Sequence, residues 1–382
     1  MNVAPRPLAL GVLGRPRMPD EHRVPIHPAH LERIPPQLRS RIVLEEGYGE
    51  RFGWSDAQCA PFVGGMLSRD ELIARADIVL LAKPLPADLR DLRDGQTLWG
   101  WPHTVQDAEM TQIAIDKRLS LIAFEAMTHG VQPGGLHVFH KNNEIAGYAS
   151  VLHALTLAGR SGDYGRRMSA VVIGFGATAR GAVTALTGQG IHDVRVLTNR
   201  MAAAVAAPIH SAEIVHFDHD AGPDVEEVII GGKTQRLARY LAESDIVVNC
   251  TFQDPLRPLV YVRTGELMMF RPSTLIVDVS CDTGMAFEWA RPTSFQEPMR
   301  VLDGSVHYYA VPHSPSWLWD SASWEIGEAL LPFLETILGG PNRWAADPVI
   351  ARAIDIQDGV IRNPDILDFQ SRASRAPHRH TG

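Results

Sequence analysis

With 382 residues, of which 45% are hydrophobic and 21% charged, the chain is long enough for two hydrophobic cores and has the make-up of an ordinary globular protein. Its formal net charge of -8 excludes a basic surface that grips nucleic acid by releasing counterions. Three cysteines, Cys59, Cys250 and Cys281, lack the spacing of a disulfide framework or a zinc site, and no apolar run reaches the roughly 20 residues of a membrane helix, so neither a metal nor a membrane partner is expected.

The apolar stretch near the N-terminus follows no basic region and reads as a first β-strand, not a signal peptide, which makes the chain read as cytoplasmic. In chain order, apolar runs bounded by turn residues predict buried strands at Leu8–Leu13, Ile42–Glu45, Asp77–Ala82, Thr97–Trp101 and Leu119–Phe124. Helical segments fall between them. Ser68–Ala76 opens with a serine and carries Glu71 three residues on, a capping box, and Val105–Lys117 has helical spacing. A long amphipathic helix is expected over Asn143–Ala158, where it can join two domains. A second series of strands follows at Ala170–Ile173, Asp193–Thr198, Asp245–Cys250 and Thr274–Ser280. Ala322–Leu338 reads as helix again, and the polar, basic tail from Phe369 to Gly382 is expected to be disordered. Strands alternating with helices make the fold class α/β with parallel sheets. The division predicted is a discontinuous substrate domain, 1–145 and 308–382, with a dinucleotide-binding domain inserted at 146–307.

Residues 171–181 read VVIGFGATARG, a β-branched strand followed by Gly174-x-Gly176-x-x-Ala179 and then a helix that runs to Gly190. In that setting Gly174 permits a tight turn, Gly176 lets the backbone approach a pyrophosphate, and Ala179 lets helix and strand pack closely. The next strand ends in Thr198-Asn199-Arg200. No carboxylate stands there to repel a 2′-phosphate, and Arg200 can pair with one, so NADP is favoured over NAD and NADPH over NADH.

Polar groups at strand ends are the other candidates. Arg23, in a turn after the first strand, offers a planar fork for a carboxylate. Lys83 directly follows a buried apolar strand, and His103 stands just past the next one, where it can exchange protons near neutral pH. Asp282 lies at the carboxyl edge of the second sheet; Asp278, inside that strand, reads as a group that orients backbone, and Cys281 as packing.

These stretches resemble a known family. EHRVPIHPAH at 21–30, EEGYGERFGWSD at 45–56, LWGWPHTVQD at 98–107, HVFHKNNEIAG at 137–147, GATARGA at 176–182, IVDVSCD at 276–282 and GSVHYYAVPHSPS at 304–316 are similar, in order, to the alanine dehydrogenase / transhydrogenase N-terminal superfamily. The likeness is greatest to its N5-(carboxyethyl)ornithine synthase branch. It implies two Rossmann-like domains, a homo-oligomer, Arg23 and Lys83 holding a 2-oxo acid, His103 handling protons, and Asp282 beside the reacting carbon. Two departures lean away from plain alanine dehydrogenases, which usually place a Glu between the strand lysine and its proline and an Asn-Met-Pro in the later loop. Here Lys83 abuts Pro84, and the loop reads His313-Ser314-Pro315. The loop Val306–Ser316, His313 included, is expected with Trp317 and Trp319 to build a pocket for a larger amine, unless both tryptophans simply pack the domain junction.

The reaction expected is NAD(P)H-dependent reductive condensation of a 2-oxo acid, pyruvate first, with the amino group of an amino acid or other amine, by way of an imine. Reductive amination with ammonia is the alternative within the same chemistry. A nucleotide-binding protein without turnover is the alternative of another class.

Overall fold

The computed structural model describes residues 7–130, 135–199, 211–218, 227–251, 253 and 258–380. The chain divides into two compact units, Met1–His140 with Trp319–Gly382, and Lys141–Leu318. Each is built on one large sheet that is parallel through its centre. Among the described residues no helix is long and apolar enough to cross a membrane.

In the first unit the parallel centre is β1 (Leu10–Val12), β2 (Ile42–Glu45), β3 (Ile78–Leu81), β4 (Thr97–Gly100) and β5 (Ser120–Ala123). They lie in the order β2-β1-β3-β4-β5. Alternate residues feed cores on opposite faces: Ile78 and Leu80 go to one, Val79 and Leu81 to the other. Burial on both faces is why these strands read as unbroken apolar runs. Strand order reverses at β1, and an open α/β sheet binds its ligands outside the carboxyl ends at such a switch.

In the second unit β6 (Ser169–Ile173), β7 (Asp193–Thr198), β8 (Glu213–Asp218), β9 (Ile246–Asn249), β10 (Leu275–Asp278) and β11 (Val306–Tyr309) lie in the order β8-β7-β6-β9-β10-β11, all parallel. This is the order of dinucleotide-binding sheets. Two helices pack against each other beside it, and glycine makes the crossing possible. A Cβ on Gly147 would lie 1.9 Å from Thr178 O, and one on Gly181 would lie 1.8 Å from Glu144 O.

Where structure and expectation part, the reasons are local. The helix expected over Ala322–Leu338 forms as Trp319–Leu330 and Leu334–Leu338. Pro332 lies in the tighter turn between them, because it can donate no backbone hydrogen bond. The junction expected at 307/308 falls at 318/319. The intervening segment is tied to the second unit, with Ser314 Oγ donating to Ala146 O at 3.1 Å and Trp317 stacked on His153 at 4.0 Å. The tail is not disordered through residue 380. Gln370, Arg372 and His378 are buried. Gln370 Nε2 donates to Thr104 O at 2.7 Å, Arg372 reaches Gln112, and His378 Nε2 accepts from Ile361 N–H at 3.1 Å. These polar side chains fill a polar seat, which hydropathy alone does not register.

Two hairpins extend the sheets with no apolar strand to announce them. Glu227–Ile230 and Lys233–Arg236 turn at Gly231-Gly232; Ile354–Gln357 and Val360–Ile361 turn at Asp358-Gly359. All four turn residues have positive φ, between 52° and 79°. The Gly-Gly and Asp-Gly pairs are hairpin signals that the sequence does carry.

Candidate active site

The carboxyl ends of β3, β4 and β5 deliver three polar side chains side by side. Trp101 N–H donates to Ala82 O at 3.1 Å, so the chains after β3 and β4 stay paired one step beyond the sheet. The approach depends on Gly100, where a Cβ would sit 2.1 Å from Leu81 O. Lys83 and His103 then meet, Nζ to Nε2, at 2.8 Å. His103 has φ 48°, unusual for a residue with a side chain. Its N–H donates to Glu125 Oε1 at 2.7 Å, and its carbonyl accepts from the N–H groups of Gln106 and Asp107 at 3.2 and 3.1 Å. Those bonds hold the strained backbone in place.

The electrostatics follow from this packing. The Lys83 ammonium, then burial, then the Arg23 guanidinium hold the His103 imidazole well below its usual value, so the ring is neutral at physiological pH. An ammonium can only donate; Nε2 is therefore the acceptor, and the ring proton sits on Nδ1, 3.8 Å from Glu125 Oε1. The side chain still keeps 44% of its surface open, so a substrate can reach it. Arg23 is buried, with Nε donating to Glu21 Oε1 at 2.8 Å and the guanidinium 5.4 Å from the Trp101 ring centre. Trp101 in turn packs edge-on against Phe124 at 4.9 Å. A buried charge pair on an aromatic floor holds the guanidinium stiffly.

The second unit carries the residues expected from the sequence to meet a nucleotide. Gly174 has φ 110°, and a Cβ there would lie 2.9 Å from Cys250 O. Gly176 has nothing within 4 Å of its would-be Cβ, leaving its backbone open to a ligand. It caps the helix Ala177–Gly188, and Ala179 is fully buried against the sheet. This loop fits a dinucleotide pyrophosphate. Thr198 is buried and Asn199 exposed; Arg200 lies outside the described residues. Asp282 is exposed, following Cys281, whose φ is 46°. Asp278 is buried and accepts from Asn249 Nδ2 (2.8 Å), Cys281 N–H (3.0 Å) and Tyr308 OH (2.8 Å). Burial pushes its carboxyl up to about 6 against those bonds. Cys281 is buried packing. His313 is buried edge-on to Phe295 at 5.0 Å, in an aromatic group with His153 and Trp317. Lys83, His103 and Arg23 therefore belong to one unit, and Asp282, His313 and the glycine loop to the other.

Residues 14–146 match the family described as alanine dehydrogenase/PNT, N-terminal domain, and residues 155–364 match alanine dehydrogenase/PNT, C-terminal domain. The chain belongs to this family. An N(5)-(carboxyethyl)ornithine synthase of Clostridium botulinum is 26% identical over 327 residues, covering 82% of this chain and 90% of the relative. An alanine dehydrogenase of Halomonas elongata is 25% identical over 358 residues, covering 89% and 91%. Among solved structures, an L-alanine dehydrogenase superposes with a TM-score of 0.75 at 20% identity over 95% of this chain and 99% of that one. A transhydrogenase from Sinorhizobium meliloti does so at 0.70 and 19%, over 93% and 99%. The structural likenesses show the fold. The resemblance read from the sequence motifs is thus upheld, and the alanine dehydrogenase/PNT family is one of oxidoreductases.

Against this family background, sequence reasoning missed two carboxyls beside the Lys83–His103 pair. Glu125 follows β5, and burial first, then the nearby Asp355 carboxyl, hold it well above the usual carboxylate range; the His103 N–H and Lys83 oppose this. Its Oε2 is buried without a hydrogen-bond partner. Asp355 comes from the hairpin strand beside β5, where Asn363 Nδ2 donates to it at 2.9 Å and the Thr104 hydroxyl also bonds it. Burial likewise raises Asp355. Glu125 had a signal, a lone acid ending an apolar strand. Asp355 is more than two hundred residues from Thr104 and Glu125, and its one signal was the Asp358-Gly359 turn of its hairpin.

Proposed function

We propose that this protein catalyses the NADPH-dependent reductive condensation of a 2-oxo acid, pyruvate first, with the amino group of an amino acid or other amine, giving an N-(carboxyalkyl) amino acid through an imine. The observation that carries this reading is the 2.8 Å contact between Lys83 and a neutral His103 next to Arg23. Arg23, stiffened by Glu21, binds the carboxylate of the oxo acid, and Lys83 donates to its carboxylate or keto oxygen. His103 takes a proton from the incoming ammonium, freeing the lone pair that attacks the carbonyl carbon. The same ring returns that proton to the carbinolamine hydroxyl, which leaves as water, and an iminium remains. Bound NADPH supplies the hydride that reduces it. Asp282 favours the cationic iminium, and His313 lies in the loop assigned to the amine.

The glycine loop supports a dinucleotide, and the lack of an acid in Thr198-Asn199-Arg200 supports the 2′-phosphorylated form. The named relatives divide between condensation with an amino acid and the alanine dehydrogenases, so ammonia is the competing amine. The test is NADPH oxidation with pyruvate plus ornithine, lysine or ammonium, with products identified by mass. A secondary amine product is expected. Turnover with ammonium alone would replace this reading by reductive amination, and no turnover with any amine would end it.

A further inference from the structure

The carboxyl edge of the first sheet carries a second set of charged side chains, which the reaction assigned above does not use. β1 and β3 are neighbours in that sheet. The chain leaving β3 presents Lys83, and the chain leaving β1 runs on to Glu21 and Arg23. Under the proposed reaction Lys83 and Arg23 hold one oxo acid, so the spacing of these two chain paths decides whether they can share it.

Asp88 stands between the two paths. It is buried, in the helix Pro86–Asp91 that follows Lys83. Its Oδ2 accepts from Leu85 N–H at 2.8 Å and closes the turn Lys83-Pro84-Leu85 from behind. Pro84 fixes one backbone angle of that turn, and the chain before Lys83 is held by the bond from Trp101 N–H to Ala82 O at 3.1 Å. The other oxygen of Asp88 faces two guanidiniums. Arg69 donates to Oδ1 at 2.6 Å, and Arg17 lies 3.6 Å from the same atom while pairing with Asp91 at 2.6 Å.

Arg69 extends the tie. It opens the helix Arg69–Arg75, whose start is fixed by the Ser68–Glu71 capping box. A second nitrogen of its fork donates to Arg15 O at 3.1 Å and lies 3.6 Å from Glu45 Oε1. Glu45, buried at the end of β2, accepts through its other oxygen from the N–H groups of Gly14 and Arg15 at 2.8 and 3.0 Å. Two carboxylates and one arginine thus bind three adjacent strand ends together. Exposed ion pairs yield to water, but the side chains of Asp88 and Glu45 are only 3% and 7% exposed and that of Arg69 19%. The planar fork reaches two acceptors at once, which a lysine cannot do in the same geometry. Burial pushes the Asp88 carboxyl up; the Leu85 N–H, then Arg69 and Arg17, oppose the shift.

We infer that Asp88 is a positioning residue: tied by Arg69 and Arg17 to the chain leaving β1, it sets the distance at which Lys83 meets His103 and the oxo acid. The inference rests on the reductive-condensation reading and adds to it the device that spaces Lys83 from Arg23. The test compares wild type with Asp88→Ala, Asp88→Asn and Arg69→Met, each below its thermal midpoint. Steady-state kinetics and pH–rate profiles use pyruvate, NADPH and the amine that wild type turns over, and calorimetry titrates pyruvate in saturating NADP+. In Asp88→Ala kcat falls about 10- to 100-fold, the cost of a reacting group misplaced by about 1 Å, and KM for pyruvate rises while KM for NADPH moves less than about 2-fold. With the ammonium drawn away from Nε2, His103 takes a proton more readily, and the acidic limb of the profile moves to higher pH. A variant that had lost only stability would keep its limb. Asp88→Asn retains an acceptor for the Leu85 N–H and recovers part of each change. Arg69→Met leaves Asp88 on Leu85, cuts the tie to Arg15, and moves the same readouts by less; where Asp88→Ala does not fold, it carries the test alone. Calorimetric pyruvate affinity, which needs neither amine nor turnover, falls in both. An unmoved limb with unchanged pyruvate affinity overturns the positioning role and leaves the reaction intact. Pyruvate affinity lost in the variants while wild type turns over no amine upholds the positioning role and overturns the reaction.

Discussion

Replacing Glu125 by glutamine separates its two duties, accepting the His103 N–H and keeping a proton in a buried site. The substitution keeps the Oε1 acceptor that stands 2.7 Å from His103 N, but removes the titration. Burial and Asp355 raise the folded value of Glu125 above its unfolded value of about 4.3. A group raised in this way contributes stability that is fully present below the unfolded value and is lost as pH rises through the folded one. Glutamine is neutral throughout. The stability of wild type minus that of Glu125→Gln therefore falls with rising pH, by up to about 1.4 kcal/mol per unit, or about 2–3 kcal/mol between pH 5 and 7. Equilibrium urea unfolding of both proteins at pH 5, 6 and 7 measures the difference, in which titrations common to the two cancel. A difference constant to within about 0.3 kcal/mol would refute a proton-holding Glu125. Glu125→Ala tests the other duty. It leaves the His103 N–H without its acceptor, at a cost of about 1–3 kcal/mol at every pH.

Lys83→Met removes the largest cause of the depressed His103 value, so the acidic limb of the pH–rate profile moves to higher pH and turnover falls about 10²- to 10⁴-fold; an unmoved limb counts against the contact. Gly174→Ala forces a side chain into φ 110° and against Cys250 O, and NADPH affinity by fluorescence titration drops more than about tenfold, whereas unchanged affinity would detach this turn from the nucleotide. Truncation after Phe369 removes Gln370, Arg372 and His378 from their buried seats and lowers the thermal midpoint of the chain; an unshifted melt would show that the tail contributes nothing.

Two kinds of information were legible before any coordinates. Both sheets announced themselves, because strands buried on two faces are apolar through their length, as Ile78–Leu81 is and as residues 246–248 are. The glycine loop announced itself, because a tight turn, an open backbone and a close helix each demand a small residue at a fixed offset. Lys83 and His103 were found for a related reason: a polar residue ending a buried strand stands out against its neighbours. The hairpin of Ile354–Gln357 and Val360–Ile361, with its Asp355, was overlooked, although Asp358-Gly359 marked the turn. The ordered tail was misjudged, because its side chains are satisfied by partners that composition does not record.

By itself, then, the order of residues determined the pattern of strands and helices, the nucleotide turn and the family, all of which depend on neighbours a few positions apart. Tertiary structure alone decided that Lys83 touches His103, that Glu125 and Asp355 crowd behind them, and which nitrogen of the ring carries the proton. Those facts come from strands laid side by side in space, where burial and charge act across a few ångströms between residues separated by twenty positions or by two hundred.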